Sequence, residues 1–210
     1  MAINKAIVTL TGTNNILLHN GQTADPRNKF AKEMKSISGK RKKTDADLDE
    51  LARIEWLAGL YLGTYEVDGV KYATTTIPSH VLESAFIAGA KKSKRGVQAK
   101  SGLFVDQQAI LDFDGKPEGH LAQEALQAAL EELYASDDYH LTVGVRVGTS
   151  KVMRTRPMFS GWSATTEVEY DDSILTFSDV KEIIEDSGRL VGVGDWRPKF
   201  GRFASTITAV

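Results

Sequence analysis

Three features of the sequence predict an α+β fold, an antiparallel sheet with helices packed on it. Period-two alternation of apolar and polar residues marks strands at NKAIVTLTG near the start and YHLTVGVRV beyond the middle. A helical apolar stripe runs through DADLDELARIEWLAGLYLG. Tight turn signals, Asp68-Gly69 and Gly148-Thr149-Ser150, join neighbouring strands so closely that they must pair antiparallel.

The elements follow in order from these periods. After the opening strand, NNILLHNG continues the sheet up to the Asn20-Gly21 turn. Phe30, Met34 and Ile37 recur at helical spacing, so a short amphipathic helix is expected within residues 27–43. Gly39 and the dense positive charge after it favour a mobile basic loop. Thr44 or Asp45 caps the next helix, whose stripe is Leu48, Leu51, Ala52, Ile54, Leu57, Ala58 and Tyr61. TYEVDGVKYA is a hairpin, and the helix SHVLESAFIAGAKK is introduced by Pro78 and capped by Ser79. Short strands in SGLFVDQQAILDFDG precede a third strong helix, EGHLAQEALQAALEELYA.

Along YHLTVGVRV, Tyr139, Leu141, Val143, Val145 and Val147 share one face, and His140, Thr142, Gly144 and Arg146 the other. The return strand carries Lys151 to Arg156, with Pro157 at an edge or break. TTEVEY alternates as a further strand. Thr176 and Asp179 form a capping box for a helix that buries Val180, Ile183 and Ile184 and ends at Gly188. Gly192, Gly194 and Gly201 turn the chain back, and FASTITA is the last strand. This order suits a modified ferredoxin-like βαββαβ framework with residues 63–134 inserted, and equally an unrelated α+β arrangement. No Pro/Gly/Ser linker divides the chain, so one elaborated domain over residues 1–210 is expected.

Composition bounds the function. The chain has 210 residues, 41% hydrophobic and 26% charged, a balance that supports a folded core. No apolar run approaches a membrane span, and MAINKAIVTLTG has no signal-peptide pattern, so a cytoplasmic protein with no membrane partner is expected. Cysteine is absent, which removes disulfides, thiolate nucleophiles and thiolate metal sites. The net charge of −2 conceals blocks of one sign. Residues 27–43 hold eight basic residues against one acid, and residues 91–100 hold five basic and no acidic ones. Arg146, Lys151, Arg154 and Arg156 form a third concentration.

Catalytic constellations are missing from the local sequence. His19, His80, His120 and His140 never stand at metal-ligand spacings, and neither a GxxxxGK phosphate loop nor a GxSxG elbow occurs. Asp112 and Asp114 could share a strand face, but Asp114-Gly115 is also a plain turn signal. No cofactor and no metal are expected. A phosphate-binding surface needs less exact geometry: clustered cations, with exposed aromatics where bases stack. Lys40, Arg41, Lys42 and Lys43, then Lys91, Lys92, Lys94 and Arg95, supply the cations. Trp162, Trp196, Phe200 and Phe203 are the candidate stacking residues, close in sequence to Arg154, Arg156, Arg197, Lys199 and Arg202. Competing with that, Trp196 and Phe200 would pack the last turn and Arg197 would pair with Asp195 or an acid of the last helix. For Trp196 the core role is the one expected.

ILLHNGQTADPRNK, KKTDADLDELARIEWLAGLY and GVGDWRPKFGRF together resemble a group of bacteriophage and prophage proteins, through nearly the whole length. The arrangement is also distantly similar to the RNA-binding backbone proteins of CRISPR effector complexes. Those use a modified ferredoxin-like fold with insertions and assemble side by side. The resemblance implies a virus-encoded protein of the host cytoplasm. The leading expectation is a noncatalytic protein that binds single-stranded DNA or RNA and forms homo-oligomers. The alternatives are a phage structural or assembly protein and a metal-dependent DNA-processing enzyme built on scattered carboxylates.

Overall fold

The computed structural model describes residues 2–210. Its central strand is β1 (Ile3–Gly12), which pairs antiparallel with the last strand, β10 (Phe203–Ala209), on one edge and with β9 (Ser163–Asp171) on the other. Val8 stands opposite Ile207 and Thr166 in these two ladders. On its far edge β9 pairs with β5 (Leu103–Phe104) and with β6 (Ala109–Asp112), and beyond β6 lie β4 (Val70–Ile77) and β3 (Leu62–Val67). Every one of these pairings is antiparallel. The fold is α+β, as the alternation predicts.

One face of this sheet is core. Ala6, Val8 and Leu10 of β1 and Ala164, Thr166, Val168 and Tyr170 of β9 are buried, while the residues between them are more exposed. Against that face pack α3 (Ser79–Ala90) and α6 (Phe177–Asp186), which also pack on each other, and the short α4 (Gly96–Gly102) packs on α3. The Thr176–Asp179 capping box sets the start of α6 and so turns Val180, Ile183 and Ile184 toward the sheet. The frame order β10-β1-β9-β6, with α3 following β1 and α6 following β9, is the 4-1-3-2 strand order of a ferredoxin-like framework. In this order α3 and β6, both within residues 63–134, stand as frame elements, with residues 13–78 before them and 113–162 after β6.

Beyond β3 and β4, which extend the main sheet, these two segments build a second layer. A small sheet of order β2-β8-β7, from β2 (Ile16–Leu17), β8 (Ser150–Phe159) and β7 (His140–Val147), packs on α2 (Asp45–Gly59). α1 (Lys29–Ser38) lies on α2, and α5 (Gln123–Tyr134) packs against β4 and α2. Trp56 anchors α2: its ring is fully buried and its Nε1–H donates to the Tyr139 carbonyl at 2.8 Å. Pro157, expected at an edge or break, lies within β8 opposite His140. There its carbonyl accepts from the Leu18 N–H at 2.9 Å. No helix among the described residues is long and apolar enough to cross a membrane.

The glycine-rich ending closes the molecule through its backbone. Asp195 N–H donates to the Leu17 carbonyl at 2.7 Å, Gly201 N–H to that of Asn15 at 2.8 Å, and Val193 N–H to that of Gly201 at 2.8 Å. Gly194 and Gly201 hold φ of 88° and 72°, and a Cβ at either would overlap a backbone carbonyl, that of Leu17 or Val193. Only glycine fits this close approach. Asn14 adds two bonds to the same loop, donating to the Lys199 carbonyl and accepting from the Arg202 N–H.

Candidate nucleic-acid interface

The largest groove, about 990 Å³, runs between the α1–α2 pair and the β7–β8 hairpin, with the turn after β2 at one end. Its cations come from separate parts of the chain. Lys35 projects from α1, Lys43 from the α1–α2 connection, and Arg154 and Arg156 from one face of β8. Between them the walls are apolar: Met34, Leu48, Leu51, Val152 and Met153 line the groove, and Leu48 and Met153 are half or more exposed. Thr44 caps α2 with a full capping box through Asp47, which fixes where the basic connection meets the helix.

Lys40 does not reach into the groove, because its ammonium pairs with Asp47. That hydrogen bond, with a second from the Thr44 N–H, holds the Asp47 carboxyl at about 2. Its contribution to the helix start is therefore present above the ordinary carboxylate range and is lost as pH falls toward 2. Arg41 and Lys42 are exposed beside it.

Arg154 and Arg156 differ in role. Both donate to Glu55 Oε1, at 3.2 and 3.1 Å, and Glu55 Oε2 accepts the Thr155 N–H at 2.9 Å. Glu55 is buried at the groove floor. Arg156 also donates to Asp195 at 3.3 Å and is largely enclosed, so it ties α2, β8 and the terminal loop together. Arg154 keeps its outer side open and is the guanidinium that a bound anion would meet. His19 is exposed at the groove end; desolvation of its packed side, helped by the Arg156 charge, lowers its pKa.

A smaller hollow of about 260 Å³ shares Val145, Arg154 and Arg156 with the groove and leads to Trp196. Trp196 is 46% exposed, which corrects the expected core role. The loop closes through backbone bonds and glycines, and the left-handed φ of 51° at Trp196 turns its ring outward. The ring lies 5.7 Å from that of Phe200, with the Lys199 ammonium 4.4 Å from its centroid. Trp162 and Phe203, the other proposed stacking residues, are buried and meet edge to face at 6.2 Å. They are core residues.

The second basic run splits. Arg95 bridges to Asp179 at 3.0 Å and Glu182 at 2.9 Å, fastening the end of α3 to α6. Lys91 and Lys92 instead line a separate hollow with Arg197 and Pro198, away from the groove, and Lys94 is exposed in a left-handed turn. Arg202 is exposed at the end of the terminal loop. The solvent face of the main sheet is not basic: Lys5 is held between Glu167 at 2.7 Å and Glu169 at 3.0 Å.

Glu55 is the site residue that spacing arguments missed; Asp195, expected opposite Arg197, pairs with Arg156 instead, and Arg197 donates to the Gly192 carbonyl at 3.5 Å. Among the described residues, no three histidine or carboxylate side chains come together as a metal-ligand group. Asp112 bonds Lys116 at 2.7 Å and Asp114 accepts from Ser160 at 3.3 Å.

No protein-family model matches the chain, and no curated protein matches it. Among solved structures it is similar to the crystal structure of Thermofilum pendens Csc2, at a TM-score of 0.38 and 11% identity, with all of this chain and 68% of that one covered.

Proposed function

We propose that this protein binds single-stranded nucleic acid without catalysis, and that the strand lies along the groove from Lys35 and Lys43, past Arg154, to Trp196. One observation carries it: cations from α1, the α1–α2 connection and β8 converge on one groove, and the hollow adjoining it through Arg154 and Arg156 leads to an exposed tryptophan. Separated cations at a groove rim grip phosphates, and an exposed indole gives a base a stacking surface without demanding a sequence. The resemblance to phage and prophage proteins supports a role in the cytoplasm of an infected host.

The test is fluorescence anisotropy of labelled single-stranded DNA and RNA over a salt series. Affinity should fall by about 0.7 log units per phosphate contact for each tenfold rise in salt. An oligonucleotide that stays unbound at low salt, or binding that ignores salt, overturns the proposal. Leu48 and Met153, apolar and exposed in the groove, favour a second role as an assembly protein that seats another protein's apolar segment there. Salt-insensitive capture of a virion component in place of oligonucleotide would select it.

A further inference from the structure

β10 leaves one edge open, and the phase of its ladder shows which groups point outward. Val210 N–H donates to the Lys5 carbonyl at 3.0 Å and Thr13 N–H to that of Arg202 at 2.8 Å, so even-numbered residues of this segment bond to β1. The N–H and C=O groups of Ser205, Ile207 and Ala209 therefore face away, on the edge that ends the sheet. Phe203 points the same way, but its carbonyl lies against Gly188. From Phe203 to Ala209 the strand has no Lys, Glu or Pro, the residues that natural edge strands use to prevent pairing. β3, at the other end of the sheet, carries Glu66.

The strand is also nearly palindromic. About Ile207 it reads Thr206 and Thr208, then Ser205 and Ala209. We propose that β10 pairs antiparallel with β10 of a second copy across a two-fold axis at Ile207. In that register Ile207 faces the partner's Ile207, Thr206 faces the partner's Thr208, and Ser205 faces the partner's Ala209. The outward backbone groups of Ser205, Ile207 and Ala209 all find partners. Threonine and β-branched pairs favour such a ladder, and no like charges are opposed. A strand from an unrelated protein would need no such symmetry, whereas an isologous contact requires the same patch to fit itself. The groove lies in the second layer and takes no part in this contact.

Sedimentation velocity of the full chain, freed of nucleic acid, tests this over a concentration series. Wild type should dimerise with rising concentration. Thr206→Lys with Thr208→Lys changes two exposed side chains on the solvent face and opposes like charges across the axis. That variant should stay monomeric and melt as wild type does at concentrations where wild type is itself monomeric. Mixing it with Thr206→Glu and Thr208→Glu should restore a mixed dimer. Wild type that is monomeric throughout, or a double-lysine variant that dimerises as wild type does, overturns the proposal.

Discussion

Glu55 and Arg156 meet at 3.1 Å on the groove floor, and this pair couples the stability of the second layer to the charge of the groove. The same carboxylate holds Arg154 and the Thr155 N–H, so its removal takes a partner from two guanidinium groups and a backbone donor at once, with Arg156 left to Asp195 and Arg154 to solvent. Glu55→Ala should cost about 1–3 kcal/mol, the usual range for leaving an enclosed donor without its acceptor, since Arg156 keeps Asp195 as a counter-charge. Glu55→Gln, which keeps the shape, should cost less and raise affinity for single strands by removing a negative charge. Chemical denaturation and anisotropy measure the two effects. An unchanged denaturation midpoint for Glu55→Ala would remove the pair from its structural role.

Lys35 and Lys43 are exposed and sit on the rim, so they should affect binding alone. Lys35→Ala with Lys43→Ala should leave melting unchanged and reduce the salt slope by about 1.4, two single-strand phosphate contacts at about 0.7 each. Arg95→Ala should do the reverse. It severs the bridges to Asp179 and Glu182, which lowers the melting temperature while the salt slope stays as in wild type.

His19 predicts a pH dependence of binding. In the free protein desolvation and Arg156 hold its pKa below the usual histidine value. A phosphate in the groove would raise it, since a nearby anion favours the protonated ring. The bound state then takes up a proton, so affinity should increase as pH falls below about 6.5, the unperturbed histidine value. His19→Gln should flatten the profile between neutral and acid pH. An unaltered profile in that variant places the strand elsewhere.

Two helix starts were legible because a cap is local chemistry: Thr176 with Asp179 forms the box its spacing predicts, and Thr44, offered with Asp45, is the cap of α2. Ser79, expected to cap α3, is instead its first helical residue after Pro78 and makes no capping bond. Which helix joins the frame was not legible. α2 and α3 both carry buried stripes, and only long-range strand order shows α3 lying on the main sheet and α2 on β8. The groove was half legible. The basic run and the Arg154–Arg156 pair were visible, but their convergence depends on α2 packing against β8. Glu55 passed unnoticed among the acids of α2, although its place between buried Ile54 and Trp56 marked it as an enclosed charge in need of a cation. At Trp196 the glycines declared a tight closure, while the direction of the ring depended on the backbone φ, which residue type leaves open.

Trp196→Leu decides whether the end of the groove binds bases. The closure around it is made by Gly194, Gly201 and Asn14, none of which uses the indole, and the ring is 46% exposed. Leucine also tolerates the backbone as tryptophan does, having no β-branch to clash. Melting should therefore shift little. The ring nonetheless offers an open face beside Lys199, and a stacked base there contributes about 1–3 kcal/mol, which is roughly 5- to 150-fold in affinity. The loss should be similar for each base, because stacking on an indole reads no hydrogen-bonding edge. Trp196→Phe, which keeps an aromatic face, should recover part of the loss. Full affinity in the leucine variant would confine the strand to the cationic part of the groove, and a recovery limited to one base would mean that the loop reads sequence.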